Sequence, residues 1–84
     1  MSNDYRIAVD QLIVEHGTHE QGYWKATLTT EQILARLNLF PAVNRSHHNY
    51  TRKVVELHYP GSRFEAIGHN AENGWKCHIK IRSK

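Results

Sequence analysis

Two stretches of this chain concentrate side chains that can engage oxyanions. In NRSHHNYTRKVVELH, residues 44–58, the side chains of Arg45, Ser46, His47, His48, Asn49, Arg52 and Lys53 crowd together. In WKCHIKIR, residues 75–82, Lys76, His78, Lys80 and Arg82 alternate with Trp75, Cys77, Ile79 and Ile81. Ammonium and guanidinium groups neutralise phosphates and release counterions, while an Asn amide, an Arg fork or an imidazole can present donors and acceptors to base edges. Against that chemistry stands the plainer one, in which the first stretch is a solvated helix face and the second a solubilising strand face.

Other constellations carry less. His16 with His19, and His47 with His48, have the look of ligand pairs. Zinc, however, wants four well-placed nitrogen or sulfur ligands, and the lone Cys77 falls on the apolar side of its strand. The same position makes Cys77 a packed thiol rather than a nucleophile, since no base or positive dipole is in view to form a thiolate. Trp24 and Trp75 read as sheet-face core in preference to stacking platforms. With no phosphate-cradling Gly loop and no nucleophile–base–acid set, no catalytic residue, metal or cofactor is expected.

Charge is unevenly divided. Residues 1–42 hold three Lys or Arg against five Asp or Glu, and residues 43–84 hold eight against three, so the halves carry −2 and +5 within a net +3. Such polarity steers a polyanion toward one surface. With 84 residues, 39% hydrophobic, one domain over 1–84 is expected, with one modest core and little room for a deep substrate cleft. No apolar run nears the roughly 18–20 residues of a membrane span, and the first residues lack a basic lead and an apolar signal core. The expectation is a cytoplasmic protein associated with the nucleoid, with which a single cysteine is consistent.

The elements that must position these residues follow from periodicity. Tyr5, Ala8, Val9, Leu12, Ile13 and His16 recur at helical spacing between Asp4 as N-cap and Gly17 as stop, which predicts a first helix over 4–16. Trp24, Ala26 and Leu28 alternate with Lys25 and Thr27 as in a short strand with one buried face. Thr29 to Gln32 is a capping box, with Leu28 and Ile33 as its hydrophobic staple, for a second helix whose inner stripe is Ile33, Leu34, Leu37 and, at its end, Phe40. That helix ends near Asn38 or Leu39, because Pro41 disfavours helical geometry at Phe40. Ser46, or Asn44 one register earlier, caps a third helix that runs to His58 and is stopped by Pro60-Gly61. Tyr50, Val54 and Leu57 share one face expected to enter the core, which turns Arg45, His48, Asn49, Arg52, Lys53 and Glu56 outward. Finally Arg63–His69 and Gly74–Arg82 read as a hairpin bent at Asn73-Gly74.

This order resembles the winged helix-turn-helix family over nearly the whole chain. The likeness rests on TLTTEQILARLNL for the second helix, NRSHHNYTRKVVELHYPG for the third and SRFEAIGHNAENGWKCHIKIR for the wing. It implies an α+β fold of three helices, a C-terminal β-hairpin wing and a short extra strand between helices one and two. It also implies a sequence-specific double-stranded DNA-binding protein of bacterial or phage type, a transcription regulator acting by occupying its site. Under that resemblance the third helix enters the major groove and the wing grips the backbone, so the DNA-binding residues would be Arg45, Ser46, His47, His48, Asn49, Arg52, Lys53, Lys76, Lys80 and Arg82. Two departures bear on this: the connection between the second and third helices is long, and the wing tip carries Glu72. Partners would be duplex DNA and either a second copy, through the Tyr5–Ile7 edge of the first helix, or another protein. The rival reading is a winged-helix module that binds a protein and never touches DNA.

Overall fold

Residues 4–39 and 44–82 are described by the computed structural model, in the order α1 (Asp4–His16), β1 (Thr18–Glu20), β2 (Tyr23–Thr29), α2 (Thr30–Arg36), α3 (Arg45–His58), β3 (Arg63–Ala66) and β4 (Trp75–Arg82). The fold is α+β: three helices on one side of an antiparallel sheet of strand order β1-β2-β4-β3. Phe40 and Pro41, invoked for the end of the second helix, lie outside the described residues. No helix among the described residues is long and apolar enough to cross a membrane.

The first helix has its expected bounds, and the Gly17 N–H closes it on Ile13 O at 2.7 Å. Sequence reading missed β1, which pairs with β2 through a two-residue turn. Gln21 (φ 50°) and Gly22 (φ 81°) are both left-handed there, as the twist of a tight hairpin requires. The capping box of α2 forms in both directions: Thr29 Oγ1 accepts from Gln32 N–H at 3.1 Å, and Gln32 Oε1 accepts from Thr29 N–H at 2.9 Å. This helix ends earlier than expected. Asn38 (φ 63°) turns the chain so that Leu39 N–H reaches Leu34 O and Asn38 N–H reaches Ala35 O, a Schellman stop that comes before Pro41.

Val9, Leu12, Ile13, Ala26, Leu28, Ile33, Val55, Tyr59, Cys77 and Ile79 form the core, with Trp24, Trp75, Phe64 and Ile81 packed against it. Cys77 is fully buried, and desolvation pushes its thiol up to about 12. It is therefore a packing group, as expected.

Two expectations fail. The face of α3 given to the core is not the one the structure buries: Tyr50 and Leu57 are 47% and 62% exposed, and His48, Thr51, Val54 and Val55 point inward. Both faces share Val54, so spacing alone did not separate them. The buried face carries the second valine and two polar groups that each find a partner, while Tyr50 settles edge-on against Tyr5 of α1, ring centroids 5.6 Å apart. Nor do Asn73 and Gly74 form the hairpin bend. The strands of the wing stop at Ala66 and restart at Trp75, and residues 67–74 make a broad loop with a 3₁₀ turn over His69–Ala71, clasped by Ile67 N–H to Gly74 O and Asn73 N–H to Ile67 O. Gly74 (φ 96°) anchors this loop instead: a Cβ there would collide with Thr30 Oγ1 and lie 2.6 Å from His48 Nδ1.

Candidate functional site

Strand alternation puts every second residue of β4 on the sheet face that the helices leave uncovered. That outer face carries Lys76, His78, Lys80 and Arg82 from β4. Register adds the rest. Thr29, Thr27, Lys25 and Tyr23 of β2 stand opposite them in turn, and β3 sets Glu65 beside Lys76 and Arg63 beside His78. Among the described residues, five Lys or Arg from three strands thus share one face with Glu65 and, on β1 beside Tyr23, Glu20.

Lys25 lies directly across from Lys80. Like charges facing each other in a ladder are destabilising, so the fold gains nothing from this pairing. Lys80 Nζ and Arg82 Cζ sit 4.6 and 5.8 Å from the Tyr23 ring centroid, where the ring's negative face attracts them. His78 is tied on both sides, with Nε2 3.0 Å from Glu65 Oε1 and Nδ1 3.2 Å from Thr27 Oγ1. With Nε2–H donating to Glu65, a neutral ring accepts from the Thr27 hydroxyl. The imidazole hydrogen bond, then the nearby Lys76, hold the Glu65 carboxyl below its usual range. Between these groups lies a depression of about 370 Å³ lined by Lys25, Thr27, Arg63, His78, Lys80 and Gly61.

Helix α3 spends its polar groups differently. Asn44, the earlier of the two expected caps, accepts from His47 N–H at 3.2 Å, and the His47 ring accepts from Asn44 N–H, so His47 is part of a cap. His48 is 6% exposed; its Nδ1 is 2.8 Å from Thr30 Oγ1, which also accepts from Trp75 N–H at 3.0 Å. Burial pulls the His48 imidazole below its usual range. Asn49 Oδ1 accepts from Trp75 Nε1 at 2.9 Å. The Arg52 guanidinium lies over the Phe64 and Trp75 rings at 5.6 and 5.1 Å, 3.8 Å from Glu56. His48, expected on an outward reading face, is thus corrected to an interior position, with the Thr30 hydroxyl offsetting its desolvation. Asn49 and Arg52 are turned toward the wing because Trp75 presents both an indole N–H and a ring face. Arg45, Ser46 and Lys53 remain exposed as expected, beside Tyr50, Glu56 and Leu57.

The ten expected contact residues are therefore not one surface. Lys76, Lys80 and Arg82 stand on the outer sheet face, whereas α3 packs under the inner one. Lys25, Arg63 and Tyr23 were missed as members of the cationic face. The alternation of Lys25 and Thr27 with Trp24, Ala26 and Leu28 marks Lys25 as outward, but its meeting with Lys80 depends on which strands pair. Comparison with protein-family models, curated proteins and solved structures yields no match.

Proposed function

We propose that the protein binds double-stranded DNA through the outer face of its sheet, with Lys25, Arg63, Lys76, Lys80 and Arg82 on the phosphate backbone. The observation that carries this reading is the cross-strand meeting of Lys25 with Lys80 inside a face of five cations and few acids. A polyanion relieves that repulsion, and releases its own counterions in doing so. The order helix, strand, helix, helix, hairpin, with β4 between β2 and β3, supports a winged-helix relationship. In this reading α3 has a smaller share in base contact than its composition implies. Its free donors are Arg45, Ser46 and Lys53, while His48, Asn49 and Arg52 hold the wing in place. A regulator that works by occupying its site needs no further chemistry.

Fluorescence anisotropy with a labelled duplex over a salt series tests the proposal. Five engaged cations give a slope of log K on log salt of about −4 to −5. Lys76→Gln with Lys80→Gln should leave the protein folded and flatten that slope by about 2. A double variant with wild-type affinity and slope would remove DNA from this face. The protein-binding alternative would then lead, favoured by the exposed apolar Ile7, Val14, Tyr50 and Leu57 on the helical side. Light scattering with and without duplex separates a second copy from a foreign partner.

A further inference from the structure

The depression at the centre of the cationic face is more than part of a flat charged surface. Lys25 from β2, Lys80 from β4 and Arg63 from β3 surround it, and the Thr27–His78 rung crosses it. Gly61, in the turn before β3, closes one rim. Its volume, about 370 Å³, is at the small end of ligand pockets. Among the described residues no carboxylate lines the depression; Glu65, which stands beside it and feels the Arg63 charge, is engaged by His78 Nε2.

Resting on the reading of this face as a DNA surface, we propose that the depression is a site for a phosphomonoester, the terminal phosphate of a nucleic-acid strand. The argument is one of charge and shape. A phosphodiester inside a strand brings one negative charge and must leave by two sides, whereas a terminal phosphate brings a charge of about −1.5 to −2 at neutral pH and three acceptor oxygens. Three cationic side chains that line the depression from three strands match the second, with Lys80 Nζ leaving the Tyr23 ring to join the other two, and Arg63 can give two parallel N–H bonds to one phosphate. The Thr27 hydroxyl, on the same rung, supplies a neutral donor to a third oxygen once it turns from His78. A duplex would then be held by its backbone along β4 and by its end in the depression.

The test compares two blunt duplexes of one sequence, one with 5′-phosphates and one with 5′-hydroxyls, in anisotropy titrations at moderate salt, with wild type and Thr27→Val. The 5′-phosphorylated duplex should bind about tenfold more tightly, and Thr27→Val, which removes one neutral donor and no charge, should cut that preference by about two- to tenfold while leaving the hydroxyl duplex unchanged. A circular dichroism melt confirms that Thr27→Val folds. Equal affinities for the two duplexes overturn the terminal-phosphate site and leave the DNA reading standing. Failure of both duplexes to bind overturns the two together. A nucleoside 5′-monophosphate is the third arm. If it displaces the phosphorylated duplex at concentrations near that duplex's Kd, the site takes a free phosphomonoester and the strand-end assignment is overturned; displacement only at far higher concentration supports it.

Discussion

Lys25→Glu should make the protein more stable and a worse DNA binder. Lys25 faces Lys80 across the β2–β4 ladder, and both side chains are exposed. A favourable cross-strand charge pair is worth about 0.2–1 kcal/mol, and a like-charge pair disfavours the sheet to a similar degree. Exchanging one for the other in an exposed pair should raise stability by about 0.5–1.5 kcal/mol. For a domain of this size that lifts Tm by roughly 2–12 °C. On duplex the same change removes a cation and plants a carboxylate beside the phosphates, so affinity should fall at least about tenfold and the salt slope should flatten by about 1–2. The assays are a calorimetric melt at low salt and at about 1 M salt, where screening should erase most of the gain, and anisotropy titrations. Lys25→Gln should lie between wild type and Glu in both. A variant that melts lower than wild type, or one that binds duplex as well, would refute the argument that the fold tolerates this repulsion for the sake of a polyanion.

Gly74→Ala should destabilise by roughly 2–4 kcal/mol in a urea titration, because its Cβ would collide with Thr30 Oγ1 and His48 Nδ1 at a left-handed φ; a loss under about 1 kcal/mol would mean the loop is not docked there. Leu34→Ala should cost about 2–5 kcal/mol, whereas Leu57→Ala should be nearly silent, and the reverse ranking would contradict the rotation of α3. Burial holds His48 below its ordinary 6.5, so the unfolded chain takes up that proton first. Stability should be complete above about pH 6.5 and decline as pH falls below it, until the folded His48 is itself protonated. The Glu15 and Glu65 carboxyls, held below their ordinary 4.5, weaken the fold only at lower pH. Melts from pH 5 to 8 should therefore show a slope that His48→Gln abolishes.

Local sequence determined the parts whose causes are local. The bounds of α1, the reciprocal cap of α2, the strand character of 24–28 and the two-faced pattern of β4 all follow from neighbours within a few residues, and the structure has each of them. Tertiary structure decided the rest, where two local readings were equally good. Either face of α3 offers Val54 and an apolar or polar neighbour at helical spacing, and the choice fell to Thr30 Oγ1 and Trp75, which wait on other elements for His48, Asn49 and Arg52. The loop at 67–74 likewise takes its shape from Gly74 meeting α2 and α3 and not from Asn73-Gly74 alone. The cationic face shows the division most plainly. That Lys76, Lys80 and Arg82 share a side of β4 is written in a two-residue period. That Lys25 and Arg63, distant in sequence, join them around one depression is a matter of strand order and register, set by which apolar faces bury together and by no single segment.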